Sequence, residues 1–319
     1  MPGAEKVREV ALRLRAEAAR VVVGLEAEVD ASFAAILAAG HVLLEGPPGV
    51  AKTLLVRTLA RALGASSARV QFTPDLMPSD VTGTSVFRPG DGRFHFRRGP
   101  LFAQLVLCDE INRAPAKTQA ALLEGMQEGT VTVDGLCHEL PRPFVVFATQ
   151  NPLEHEGTYP LPEAQLDRFL FKLLIGYPPA DVESRLLSEA HSRPPDATPE
   201  ELGVEPISSA EELLAMRALV RAVEVKADLA AYVVRILGAT RRDLALSLGA
   251  SPRAGVMLLR AAKAFATLDG RDFVTPDDLK RCVHPCLRHR VALDPAEELS
   301  GTRVDDVLTR ILEAEEVPR

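Results

Sequence analysis

Apolar and polar positions change rhythm once along this chain, near residue 177. Before that point, apolar runs near Val42, Val70, Leu105, Val145 and Phe171 alternate with stretches of helical periodicity. Such alternation predicts a mainly parallel sheet flanked by helices, with ligands at the carboxyl ends of the strands. After the Pro178-Pro179 break the pattern turns helical. Helices are expected near Ala210 to Val223, Ala227 to Leu237, Ala254 to Leu268 and Pro276 to Val283, with a Pro-rich interruption from Arg193 to Pro206. The opening residues, MPGAEKVREVALRLRAEAAR, read as a charged amphipathic helix. The organisation predicted is an N-terminal helix (1–20), an α/β core (21–176) and a small all-α lid (177–319). Two hairpins are read as insertions in the core. Ser85 to Leu101 turns at Gly90-Asp91-Gly92, and Gly129 to Leu140 turns at Asp134-Gly135.

The chemistry is concentrated where strands end. The run GHVLLEGPPGVAKTLLVRTLARAL carries an apolar strand into a Gly/Pro-rich turn and then a helix. Gly46, Pro47, Pro48, Gly49, Val50, Ala51, Lys52, Thr53 and Leu54 form a loop whose backbone N–H groups face inward at a helix's positive end, a cradle for polyphosphate. Lys52 would reach the β- and γ-phosphates, and the Thr53 hydroxyl would ligate Mg²⁺. Ala51 stands where a glycine is usual, and in the first turn of a helix an alanine is expected to need no positive φ. This site is read as binding a nucleoside triphosphate.

The apolar run Leu105 to Cys108 ends in Asp109 and Glu110. Alone, such a pair reads more readily as an N-cap that ends the strand. Beside a phosphate loop, Asp109 reads as holding the Mg²⁺ water shell and Glu110 as orienting or deprotonating the attacking water. A third strand, PFVVFATQNP, ends in Thr149, Gln150 and Asn151, which would place an amide near the γ-phosphate or cap the following turn. Arg168 precedes the strand at Phe169, and Arg253 stands in the first turn of an amphipathic helix. By position either suits a solvated surface, but an arginine in a first helical turn opposes the helix dipole and hints at an anionic partner.

Taken together, GPPGVAKT, LVLCDEINRAP, ATQNP, EAQLDRF and SPRA resemble the AAA+ ATPases, and among them the MoxR family. The resemblance runs from about Val21 to the C-terminus. It implies a P-loop core with a five-stranded parallel sheet and a helical lid, with ATP and Mg²⁺ as cofactors. It makes Gly46 to Thr53 the Walker A loop, Asp109 and Glu110 the Walker B pair and Asn151 sensor 1. Arg168 becomes the arginine finger given to a neighbouring subunit and Arg253 sensor 2, facing Lys52 and coupling nucleotide state to the angle between domains. It further implies a homo-hexameric ring and a partner with a von Willebrand factor A-type domain. The family often carries a glutamine after Val-Gly near its start, where this chain has Leu25 after Val23-Gly24. An alanine at the position of Ala51 is common in MoxR-like loops.

Composition adds limits. At 319 residues and 47% hydrophobic the chain has material for two packed domains. No apolar stretch reaches the ~18–20 residues needed to cross a bilayer, and the start lacks the features of a signal peptide. Four scattered cysteines, with Cys108 inside a core strand, fit a reducing, cytoplasmic setting. Cys282, His284, Cys286 and His289 lack the pair spacing of zinc sites, and Pro285 is expected to break a common helical face. The net charge of −7 weighs against general nucleic-acid affinity. The first hairpin, with Arg88, Arg93, Arg97 and Arg98 among Phe87, Phe94 and Phe96, keeps that option alive. The leading reading is an ATPase that remodels or activates a client protein, as in metalloenzyme maturation or complex assembly. The alternatives are the ATPase subunit of a chelatase-like metal-insertion machine and a nucleic-acid motor.

Overall fold

The computed structural model describes residues 2–152, 158–190, 194 and 197–318. The chain opens with α1 (Pro2–Ala19), α2 (Glu26–Leu37), β1 (His41–Glu45), α3 (Lys52–Ala62) and β2 (Ser67–Gln71). A short α4 (Pro78–Thr82) leads into the hairpin β3 (Gly83–Arg88) and β4 (Arg93–Arg98). Then come β5 (Leu105–Asp109), α5 (Ala116–Glu128), the hairpin β6 (Thr130–Val133) and β7 (Leu136–Glu139), and β8 (Val145–Gln150). After α6 (Glu163–Leu166) and β9 (Phe169–Leu174) the chain is largely helical. This part holds α7 (Ala180–Ala190), α8 (Ala210–Ala222), α9 (Ala227–Arg242), β10 (Leu246–Leu248), α10 (Pro252–Leu268), α11 (Pro276–Leu287), β11 (Ala292–Leu293), α12 (Pro295–Leu299) and α13 (Val304–Ala314).

The five expected strands form one parallel sheet in the order β2-β5-β8-β1-β9. β5 is buried along its whole length, and β1 and β8 are buried up to their last residue. These strands are covered on both faces, which is why they read as continuous apolar runs instead of alternating ones. β2 is an edge strand and mostly exposed. The register pairs Glu45 with Gln150, Cys108 with Ala148 and Gln71 with Asp109, so four strands finish at nearly one level.

Both hairpins form where expected, and they touch. Phe96 of β4 stacks on His138 of β7 with ring centroids 4.0 Å apart, and Phe102 packs edge-on against Phe96. Because β4 leads into β5 and β7 into β8, the bases of both hairpins stand at the end of the sheet where those strands begin, opposite the phosphate loop. Helix α1 is no loose appendage. Val7, Val10, Ala11 and Leu14 are buried against α2, α3, α8 and α10, which joins core and lid in one apolar cluster.

Two expectations for the lid change. A small antiparallel pair, β10 with β11, stands among its helices. Helix α11 also runs on through Pro285 to Leu287. The proline removes one backbone donor, but Cys282, Val283, Cys286 and Leu287 are all fully buried, and their burial offsets the lost bond. Cys282 and Cys286 thus share a helical face, where burial raises both thiols and pushes Cys286 up to about 12. The neighbouring histidines turn elsewhere, His284 towards Asp305 and His289 onto the Phe169 carbonyl. Of the expected Pro-rich interruption, Arg193, Pro195 and Asp196 lie outside the described residues.

Candidate nucleotide site

The loop after β1 is shaped by glycine at two points. A Cβ on Gly46 would come within 2.1 Å of the Ile175 carbonyl oxygen, so no side chain fits there. Gly49 has φ +84°, in the left-handed region. Ala51 is also left-handed, with φ 59° and ψ 18°, as the residue that caps α3. The expectation that alanine needs no positive φ there is wrong. The residue lies one step before the helix, where the chain must turn sharply to aim Lys52 and Thr53 inward. Ala51→Gly should therefore raise the unfolding free energy by about 0.5–1 kcal/mol. This is the left-handed penalty of roughly 1–2 kcal/mol less the extra backbone entropy glycine loses. Denaturant midpoints would show it, and a lowered midpoint would refute it.

The ends of β1, β5, β8 and β2 surround one cleft of about 370 Å³, lined by the loop from Pro48 to Leu54 and by Arg69, Gln71, Asp109, Glu110, Thr149, Gln150 and Asn151. Lys52 Nζ donates to the carbonyls of Gly46 (2.5 Å) and Pro47 (2.9 Å), which holds the ammonium inside the loop. Asp109 is buried, and Thr53 Oγ1 donates to its Oδ2 at 3.4 Å. Thr149 Oγ1 donates to Asp109 Oδ1 at 3.2 Å and accepts from the Glu110 N–H at 2.9 Å. Glu110 is left-handed, with φ 56° and ψ 49°. That conformation costs about 1–3 kcal/mol and persists because Thr149 holds the amide. The Glu110 carboxylate is held by Gln71 Nε2 at 2.8 Å and by Arg113 Nη1 at 3.1 Å.

A hydroxyl and a carboxylate oxygen side by side are hard donors of the kind Mg²⁺ takes, and the loop with Lys52 suits a phosphate chain. Thr53 and Asp109 would hold the metal, and Gly46 to Leu54 the nucleotide. The sequence reading missed Arg69 and Gln71. Arg69 Nε donates to Asp109 Oδ2 at 2.7 Å and so supplies a counter-charge to the buried carboxylate. The two residues alternate on an edge strand, and that period-2 spacing was the available signal for a shared face.

The remaining predicted residues lie elsewhere. Arg168 turns onto its own α5, donating from Nη1 to the Leu123 carbonyl (3.0 Å) and to Gln127, and its Nε is buried with no partner among the described residues. Arg253 does not face Lys52. It stands exposed at the start of α10, with Nε 3.4 Å from Asp167 Oδ2, and does not line the cleft. The reason lies in Arg290, whose side chain is 1% exposed. It bonds Asp167 Oδ1 at 2.7 Å and the carbonyls of Asp167, Phe169, Leu170 and Cys286. Arg290 Nη2 also reaches Met257 Sδ of α10, so the helix that carries Arg253 is held beside Asp167. Leu25 caps α2 without a side-chain bond and packs on the core cluster.

A parallel sheet with a phosphate loop on an inner strand, a carboxylate pair beside it and a helical lid defines a P-loop ATPase. Residues 41–171 match the ATPase family associated with various cellular activities (AAA), and residues 238–311 match the AAA lid domain. Chaperone MoxR1 of Mycobacterium tuberculosis is 43% identical over 95% of this chain and 81% of its own length. The protein YeaC of Bacillus subtilis, itself uncharacterised, is 46% identical over 94% of this chain and 92% of its own. A candidate ATPase from Cytophaga hutchinsonii, solved by crystallography, superposes with a TM-score of 0.91 at 36% identity, covering 100% of this chain and 98% of that one. The chain belongs to the MoxR family of AAA+ ATPases. Among the described residues no helix is long and apolar enough to cross a membrane.

Proposed function

We propose that this protein hydrolyses Mg²⁺-ATP in a ring assembly and uses the energy to remodel or activate a client protein. The observation that carries the hydrolytic part is the convergence of Lys52, Thr53, Asp109 and Glu110 on one cleft. Mg²⁺-ATP supplies the phosphoryl group and neutralises charge as it transfers. Lys52 and the loop amides bind and orient the phosphate chain. Glu110 takes the proton of the attacking water, and Asn151 stands at the same end of β8 to position that water. Gln71 and Arg113 hold the Glu110 carboxylate in the cleft. Arg69 supplies Asp109 with a counter-charge of the kind Mg²⁺ would supply when bound.

Completion of the site by a second copy is supported by Arg168 and Arg253, neither of which lines the cleft of its own chain. The remodelling role rests on the near-full-length likeness to a protein named a chaperone. The hairpins offer the gripping surface. Phe87 and Phe94 pack together at 5.3 Å yet are 50% and 72% exposed, with exposed Arg88 and Arg93 beside them towards the turn and exposed Arg97 and Arg98 at the base. The second hairpin presents Asp134 and Glu139. A von Willebrand factor A-type partner and a cytoplasmic, hexameric ring complete the reading.

Phosphate release measured with and without single- and double-stranded DNA at physiological salt tests it. ATP should be hydrolysed, DNA should not stimulate hydrolysis, and Arg97→Ala/Arg98→Ala should leave basal turnover nearly unchanged while weakening partner coupling. Stimulation by DNA that this double change abolishes would put a nucleic-acid motor in its place.

A further inference from the structure

A second cavity lies far from the phosphate loop. It encloses about 810 Å³ at the end of the sheet where β1 and β8 begin, between the C-terminus of α2, the base of the second hairpin and helices α8 and α10. Leu37, Phe144 and Leu259 are part of an apolar wall. Five cations also line it: Arg142, Arg217, Arg221, Arg260 and Lys263. The chain as a whole carries −7, so this concentration of one sign runs against its average.

None of the five makes an ion pair among the described residues, although Glu128 stands on the same wall. Their hydrogen bonds go to neutral carbonyls. Arg217 Nε donates to Ile36 (2.8 Å), Arg260 Nη2 to Ala38 (2.5 Å) and Lys263 Nζ to Arg221 (3.0 Å). Two of these cap the C-terminus of α2, whose dipole offsets about half a charge. Arg217 Nη2 is enclosed with no hydrogen-bond partner. Burial, with Arg260 and Arg221 nearby, brings Arg217 down to about 10, the mark of a cation short of counter-charge.

His41 beneath them supplies none. Its Nδ1 accepts from the Val146 N–H at 3.0 Å and its Nε2 lies 3.1 Å from the Met126 carbonyl, so the ring is neutral. Burial lowers it to about 4.

We propose that this cavity binds an organic anion with an apolar body, its carboxylate or phosphate head among Arg142, Arg217 and Arg221 and its body against Phe144 and Leu259. An apolar pocket with a few convergent charged groups is the usual form of a small-molecule site. Burying an anion here relieves the mutual repulsion of the cations as well as its own desolvation.

The test uses the full chain and the anionic, apolar fluorophore 8-anilinonaphthalene-1-sulfonate. Fluorescence titration should show one saturable site. Arg142→Glu/Arg221→Glu reverses two exposed charges and should weaken binding about tenfold or more, on the scale of one charge-assisted contact. Val256→Trp should block binding by filling the cavity from an exposed position on its wall. Far-UV circular dichroism would verify both folds. Displacement by decanoate would identify a carboxylate ligand. Displacement by ATP in the Lys52→Ala variant, whose nucleotide cleft is disabled, would identify a phosphate one. If the dye binds both variants as tightly as the parent, or neither competitor displaces it, the cavity is not an anion site.

Discussion

Glu110→Gln is expected to keep Mg²⁺-ATP bound while turnover falls by about 10²-fold or more, the scale on which a general base acts. The glutamine has the same length and keeps a carbonyl oxygen that can accept from Gln71 or Arg113, so the local frame survives. What it loses is the basic oxygen. The backbone twist at residue 110 depends on its amide bonded to Thr149 and not on the carboxylate, so folding is unaffected. Lys52→Ala should differ in kind, because it removes the ammonium from the phosphate loop and weakens nucleotide binding itself. Nucleotide affinity and steady-state phosphate release, measured on both variants, separate the two effects. Unchanged turnover in Glu110→Gln would remove it as the base.

Arg168→Ala is expected to bind ATP nearly normally and hydrolyse it about 10³-fold more slowly or worse, as for an arginine that meets the charge of the transferring phosphoryl group. Within one subunit the guanidinium is parked on α5, against the Leu123 carbonyl and Gln127, with Nε buried and unbonded. It cannot serve its own cleft from there. Activity should thus rise with protein concentration as subunits associate. Mixing inactive Arg168→Ala with inactive Lys52→Ala should restore partial activity, because some interfaces then join an intact Arg168 to an intact Lys52. No recovery despite mixed rings seen by light scattering, or a fully active monomer, would sink the shared site.

What the sequence settled was local. The apolar runs around Val42, Leu105 and Val145 are strands because they are covered on both faces, and burial of that kind leaves an unbroken apolar pattern in the chain. The phosphate loop and the Asp109-Glu110 pair were legible because each needs particular residue types within a few positions. The helices from Ala210 onward announced themselves by period, and the hairpins by their Gly and Asp turns.

Tertiary structure decided what depends on residues far apart. Ala51 is left-handed because the chain must deliver Lys52 into a cleft other strands complete, and an alanine carries no mark of its φ. Arg69 and Gln71 entered the site because β2 pairs with β5 in the register that sets Gln71 opposite Asp109. Helix α11 passed through Pro285 because its buried face, not the local backbone preference, dominates. Arg253 fell beside Asp167 instead of Lys52 because a buried Arg290 bonds both Asp167, more than a hundred residues away, and Met257 of α10. Short-range patterns fix which elements form. Which side chains meet is set by long-range burial and charge pairing, whose partners are not neighbours in the chain.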